Sequence, residues 1–564
     1  MNRLFLRLVI ILTINVMLLS LVAPITLAGA QTQADFLPDE VLVKLLQSTD
    51  VVGIAVDYDL DPAPLDQFGS RAIFRMRILD GVSPPERAME LAADPRVVYA
   101  EPNFIGRIPE GVQRVSWPKG DEDGDYNEQW AAGIIRLPEA HTVTRGAGVT
   151  IAVLDTGIDV THPALVGRLV NGYDFVDLDA DPSEVGSAGQ NLAYGHGTHV
   201  AGLVALVAPE ARIMPLRVLD ENGDGDIWVL AEALAYAINP DGDPNTADGA
   251  DVINLSLSTS YRTDLLTEIV ASVTCEQDDD FDEDDDTCLV RPNQRGAVVV
   301  AAAGNSGSSI PEYPAAEGVV GSLAVGASTS ADTLALFSNY GSWVHVAAPG
   351  ESILSTVPGG EYAVWSGTSM ATPLVAGEVA LVRAANPSYK STDVVGLIIS
   401  KTESMSGPVP KRIDVAAALG IPIVGEYQCT GSARAITADN LLVPKGATCH
   451  LEGARIKGSI KVEEGASLHA SGLYVKGSLQ AVKAVSVNII SSSFEGSFEM
   501  EEGGSSQLYG AQIQGDAKFM KNNGSLTIAN NTIGGNMQCK ENSLVPVGGN
   551  NDVQGNKEDQ CANL

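Results

Sequence analysis

Glycines recur at Gly458, Gly477, Gly496, Gly515, Gly535 and Gly555, in steps of 19, 19, 19, 20 and 20 residues, and no other feature limits the folding of the last quarter of the chain so strongly. Two residues before them stand Ile456, Val475, Phe494, Ile513, Ile533 and Val553; two residues after the first five stand Ile460, Leu479, Phe498, Ala517 and Met537. A unit of about 19 residues cannot bury its apolar positions alone, so successive copies must stack on a shared core. The period therefore predicts a short parallel β-helix, a β-solenoid, over residues 425–564. An ordinary β-sandwich is the competing reading.

Upstream the rhythm changes. Between Gln129 and about Gly420, apolar strands ("GVTIAVLD", "ADVINLSL", "GAVVVAAAG", "SLAVGAS") alternate with helical stretches ("WVLAEALAYAI", "TPLVAGEVALVRAAN"). This alternation predicts an α/β unit, placed at 125–420, with a parallel sheet covered by helices on both faces. Reactive groups in such sheets gather at the carboxyl ends of the strands. A smaller α+β unit precedes it. "DEVLVKL" reads as a strand, "SPPERAMELAADP" as a helix begun at Ser83 and stopped by Pro95, and "RVVYAEPNF" as a second strand. The Pro, Gly and acid-rich stretch from Ile108 to Asp125 reads as a linker or cleavage region.

Arg3 and Arg7, an apolar run from Leu8 to Val22 and the small residues Ala28-Gly29-Ala30 form a secretory signal over 1–30. The run is shorter than the ~20 residues of a spanning helix, so the expectation is a secreted protein with no membrane partner once the signal is removed. A net charge of -36 argues against nucleic acid and anionic membranes, which need basic patches. All six cysteines follow the signal, and an even count in an exported chain implies disulfides. Neighbouring couples give the expected pairs: Cys275 with Cys288, Cys429 with Cys449, and Cys539 with Cys561.

Asp155 closes the strand "VTIAVLD", where a carboxylate can be desolvated and can orient an imidazole; a helix cap is the bland alternative. His196 and His199, in "YGHGTHVAG", would share one face of a helix start, so a metal pair competes with one catalytic and one structural histidine. Ser369, in "WSGTSMATP", has no base beside it in sequence. A serine hydroxyl needs one to attack. Taken together, "VLDTGID", "GHGTHVAG" and "SGTSMATP", with Asp155, His196 and Ser369 separated by 41 and 173 residues, resemble the subtilisin-like serine proteases.

The resemblance implies roles. Asp155 would hold His196, His196 would deprotonate Ser369, and Asn305 in "VVVAAAGNSG" would donate its amide to the oxyanion. Ser256, Leu257 and Ser258 would pair with extended substrate, although Ser258 stands where a glycine is usual. Gly304 and Glu312 would line the primary specificity pocket, and a carboxylate there favours Lys or Arg before the scissile bond; a solvated loop glutamate is the other reading. Residues 31–110 resemble the propeptides that inhibit these enzymes, with self-cleavage expected between Asn103 and Gln129. Structural calcium is expected in at least one acidic loop, with ligands unassigned and no catalytic cofactor. The expected function is secreted endopeptidase activity on polypeptides, with the solenoid binding a glycan or cell-surface ligand. The second class is a scaffold protein in which the solenoid carries the function. An α/β-hydrolase esterase fails because no histidine follows the serine within the α/β unit.

Overall fold

The computed structural model describes residues 35–110, 116–119, 126–127, 129–243, 245–275, 295–409, 411–421, 424–434 and 436–564. The expected signal, the acidic run after Cys275, and Cys288 lie outside the described residues. So does the pairing of Cys275 with Cys288.

The N-terminal region pairs β1 (Phe36–Leu45) with β2 (Ile73–Arg77) and with β3 (Val97–Arg107), all antiparallel. Helix α1 (Pro84–Leu91) follows Ser83 and ends short of Pro95. Val41, Val43, Phe74, Met76, Ala88 and Leu91 make its small core. This sheet does not end within the region. β3 continues by pairing antiparallel with β6 (Asp224–Asp226), which belongs to the central unit.

The central unit is built on nine strands. From one edge the order is Thr402–Ser404, Lys411–Ile413, β10 (Val346–Pro349), β9 (Ser322–Ser328), β8 (Val298–Ala302), β7 (Val252–Leu255), β4 (Thr150–Asp155), β5 (Arg212–Arg217) and Tyr173–Asp174. Only the first pair is antiparallel. Successive side chains of a strand point to opposite faces. Ile151 and Val153 accordingly join the core beneath α2 (His196–Val207) and α5 (Thr368–Ala385), while Ala152 and Leu154 join that beneath α3 (Ile227–Ile238) and α4 (Asp264–Thr274). Apolar strands between two helical layers are what the near-continuous hydrophobic runs require.

In the C-terminal region, from Leu441 onward, the short strands pair in parallel with strands 19 or 20 residues further on. Ile456, Val475, Phe494, Ile513, Ile533 and Val553 form one continuous register; Ile460, Leu479, Phe498, Ala517 and Met537 form a second. These apolar ladders line one core. The repeating glycines mark a close approach between successive backbones: a Cβ on Gly477 would sit 2.5 Å from the carbonyl oxygen of Gly458. Cys429 is bonded to Cys449, and Cys539 to Cys561, as the spacing predicts.

Candidate active site

Asp155 is the last residue of β4, and His196 is the first residue of α2, so both reach the carboxyl edge of the sheet. His196 Nδ1 lies 2.7 Å from Asp155 Oδ1, which also accepts the Thr156 N–H at 2.8 Å. Both side chains are buried. Burial works against a charged imidazole, but Asp155, joined by Glu110, outweighs it and pushes His196 up to about 10. His199 sits one turn further along α2. Its ring stacks on Trp365 at 4.6 Å, its Nε2 meets the Ala363 carbonyl at 3.1 Å, and burial pulls its pKa down to about 3. The two histidines thus separate, one beside a carboxylate and one locked in the core, and the metal-pair reading gives way.

Ser369 is the second residue of α5, whereas the sequence pattern starts this helix near Thr372. Pro373 explains the difference. It lacks the N–H that would bond the Ser369 carbonyl four residues back, and the Ser256 hydroxyl donates to that carbonyl instead, at 3.1 Å. The helix can therefore begin at Thr368 and place Ser369 in its first turn. Asn305 Oδ1 accepts both the N–H and the hydroxyl of Thr368, at 2.8 and 2.9 Å, which fixes the amide with its NH2 toward the cleft.

What fills the space between these groups is a residue the sequence pattern did not single out. Glu110 Oε2 accepts the Ser369 hydroxyl at 2.9 Å and lies 3.2 Å from His196 Nε2, while Glu110 Oε1 accepts the Asn305 amide at 3.1 Å. Glu110 is itself buried. The chain reaches this point as an extended strand. Arg107 exchanges both backbone hydrogen bonds with Ser258, each 2.8 Å, and the Ile108 N–H donates to the Gly223 carbonyl at 3.1 Å. Ile108–Glu110, read from composition as the start of a linker, lie in the cleft. Linker composition reports only the lack of a periodic core pattern and cannot register backbone pairing with a distant strand.

Ser258 and Glu312, the two departures in the expected pocket, form one unit. The Ser258 hydroxyl donates to Glu312 Oε2 at 2.7 Å, while Asn339 Nδ2 and the Ser306 hydroxyl reach Glu312 Oε1 at 2.9 and 3.2 Å. Gly304 has φ +98°, and a Cβ there would lie 2.3 Å from Glu312 Oε2, so only glycine admits the carboxylate. Leu257, beside Ser258, is buried in the core beneath α3 and α4.

A further carboxyl, Glu184, braces the site from behind. It accepts the hydroxyls of Thr156, next to Asp155, and of Thr198, two residues past His196, together with the Thr198 N–H at 3.2 Å. Burial pushes Glu184 up to about 7 against these hydrogen bonds, with the Asp155 charge adding to the rise. The only sequence signal for it is an acidic loop of the kind that suits calcium. Among the described residues no group of three or more His, Cys, Asp and Glu is arranged to hold a metal ion. In the loop from Asn239, Asp241 and Asp243 accept bonds from their own neighbours, Asn245 and Thr246.

A serine hydroxyl, a carboxylate-held imidazole and a fixed amide donor in one cleft are the parts of a serine hydrolase. Comparison with known proteins narrows the class. The sequence model of the Subtilase family matches residues 146–420. A thermophilic serine proteinase of Bacillus sp. (strain AK1) is 38% identical over 328 residues, 56% of this chain and 69% of that protein. Thermitase of Thermoactinomyces vulgaris is 36% identical over 291 residues, 50% of this chain and 90% of that protein. The crystal structure of fervidolysin from Fervidobacterium pennivorans aligns with TM-score 0.54 and 22% identity over 71% of this chain and 64% of its own, a likeness of fold. The chain belongs to the subtilase family and is a subtilisin-like serine endopeptidase. Among the described residues no helix is long and apolar enough to cross a membrane.

Proposed function

We propose that the protein is a secreted precursor whose Ser369 attacks peptide carbonyls, with residues 31–110 acting as an inhibitor removed by self-cleavage. The observation that carries this reading is Glu110: one carboxylate meets Ser369, His196 and Asn305 together, so these three groups converge where a scissile carbonyl would sit. With Glu110 withdrawn, His196 Nε2 is free to accept the Ser369 proton as Oγ adds to the carbonyl carbon. Asp155 keeps the proton on Nδ1 and stabilises the imidazolium that forms. The oxyanion is met by the Asn305 amide and the Ser369 N–H. Collapse breaks the C–N bond, the leaving amine takes the proton from His196, and water repeats the sequence on the acyl-serine.

Glu312 sets the preference in this reading. Its hydrogen-bond donors are the neutral groups of Ser258, Ser306 and Asn339. None of these partners is a cation, which leaves the carboxylate to pair with Lys or Arg before the scissile bond. Residues 425–564 act as a β-solenoid accessory domain, supported by the 19-residue registers. On its outer face His450, His469, Asn488 and Gln507 stand in one register, with the two imidazoles stacked at 4.9 Å. Such rings and amides suit sugar hydroxyls, so a glycan or cell-surface ligand is the partner class. Calcium, expected from the family, has no fitting ligand group among the described residues, and no step here needs it. The scaffold alternative loses its ground where Asp155, His196, Ser369 and Asn305 share one cleft.

A fluorophosphonate probe tests the assignment. It should label the processed enzyme, not Ser369→Ala; equal labelling of both proteins would sink the nucleophile. A peptide library tests Glu312: cleavage after Leu or Phe in preference to Arg and Lys would exclude the basic pocket.

A further inference from the structure

The strand that fills the cleft is also a template for how an extended polypeptide lies in it. Phe104 to Ile108 follow the backbone pairing a substrate would use, with Arg107 fixed against Ser258 and Ile108 against Gly223. Two side chains at the outer end of this strand meet partners on the central unit that the hydrolysis chemistry does not use. Arg107 Nε donates to Asp224 Oδ1 at 3.0 Å, on β6, one wall of the cleft. The ring of Phe104 lies flat on that of Tyr261, centroids 4.4 Å apart and planes 11° from parallel. Tyr261 follows Ser258 on the opposite wall. Phe104 and Arg107 are three residues apart, an odd separation that sends side chains to opposite sides of a strand. Arg107 stands directly opposite Asp224 in the β3–β6 pair, so these two side chains share one face of the sheet, and Phe104 projects from the other.

Both partners belong to the central unit and stay when the N-terminal region leaves. Tyr261 is 39% exposed even with Phe104 on it, and more of its ring opens when that residue departs. An exposed aromatic face and a carboxylate on facing walls of a peptide cleft are surfaces with a defined complement. The first takes a planar apolar ring, worth more than its area alone through stacking; the second takes a guanidinium or ammonium group. Area lost on release of Phe104 is regained only by a substrate residue in the same place.

We propose that Tyr261 and Asp224 are outer specificity subsites that select polypeptides carrying an aromatic residue three positions before a basic one. This rests on the endopeptidase reading above, with Ser369 as nucleophile. The basic residue faces Ser258, as Arg107 does, and lies upstream of the residue that enters the Glu312 pocket. The two acidic positions thus read two different substrate residues.

Internally quenched peptides test this with the enzyme activated from the full chain. One carries Phe-Ala-Gly-Arg ahead of a fixed cleavable stretch; its partners replace Phe by Ala or Arg by Glu. The Phe peptide should show kcat/KM about 3- to 10-fold above the Ala peptide, the size of an aromatic pair. Tyr261→Ala should level the two, while Tyr261→Phe keeps the difference. Asp224→Asn should likewise reduce the gap between Arg and Glu peptides. Ser369-dependent cleavage with equal rates for the Phe and Ala peptides overturns the subsites alone, and the wild-type comparison reads this even where a variant misfolds. Cleavage that persists in Ser369→Ala overturns the nucleophile assignment and the subsites with it.

Discussion

Asn305 is held so that it has one orientation. Its Oδ1 takes two bonds from Thr368, leaving only the NH2 for the cleft. Asn305→Ala should therefore lower kcat by about 10²- to 10³-fold with little change in KM, the range known for the oxyanion amide of subtilisin itself; steady-state kinetics on one peptide checks it. Glu184 acts at one remove. It ties the residue after Asp155 to the first turn of α2, so Glu184→Gln should lower kcat about 10-fold at unchanged KM, in keeping with the cost of small misplacements in a reacting pair. Its stability signature has a definite sign. A carboxyl raised to about 7 gives a contribution that is complete below its ordinary value of 4.5 and lost as pH rises through 7. The wild type should thus lose Tm relative to Glu184→Gln between pH 5 and pH 8, measured by thermal unfolding of both proteins. Asp155, His196 and Ser369 were legible in the sequence because each sits in a short motif. Glu110 and Glu184 were not, since a glutamate in a Pro/Gly-rich or acidic stretch gains meaning only from what the chain folds against it.

At the scale of elements, the glycine period is the most legible feature and also the most exposed to test. In each repeat the apolar residues flanking the glycine stack on those 19 or 20 residues away, and the glycine lets neighbouring backbones approach. Gly477→Val would force a branched side chain within 2.5 Å of the Gly458 carbonyl oxygen, a backbone atom that cannot turn aside. The expected result is earlier unfolding and proteolytic trimming of the region after Gly425, with peptide hydrolysis by the central unit retained. Limited proteolysis read by mass spectrometry distinguishes this from global unfolding, in which activity falls in parallel. The alternation of strand and helix in the central unit was legible for a similar reason: buried parallel strands announce themselves as apolar runs. The start of α5 was not, because Pro373 marks a helix start in sequence while the Ser256 hydroxyl, from β7's far end, supplies the bond that lets the helix begin earlier.

For the whole molecule, a net charge of -36 makes it hard to pair every acid with a cation where large surfaces meet. The contact between the N-terminal region and the central unit is such a surface. Glu101 accepts the N–H groups of Asp264 and Leu265 at the start of α4, and burial pushes it up to about 7 against those bonds. Glu232, on α3, is pushed up to about 7 by burial and by Asp66 of the N-terminal region. Ion pairs from Lys44 and Arg71 to Glu268, both 3.1 Å, tie the two regions together and oppose separation. Raised carboxyls in the docked state mean that docking takes up protons. Their contribution is complete below 4.5 and lost as pH rises through 7, so docking weakens over that interval. His196, lifted to about 10 by Asp155 and Glu110, has a raised value too; its contribution is complete below the ordinary imidazole value of 6.5 and falls from there to about 10, so it acts in the same direction over the upper part of the interval. If residues 31–110 act as the proposed inhibitor, their release, followed as the rate at which the full chain gains activity, should be several-fold faster at pH 8 than at pH 5. A tenfold change in a group's acidity carries about 1.4 kcal/mol, so two such groups outweigh a weak surface ion pair. In the double variant Glu101→Gln, Glu232→Gln the rate should climb less steeply across the same interval than in the wild type, once the enzyme's own pH dependence measured on a peptide is divided out; a rate that climbs as in the wild type would place the proton uptake elsewhere.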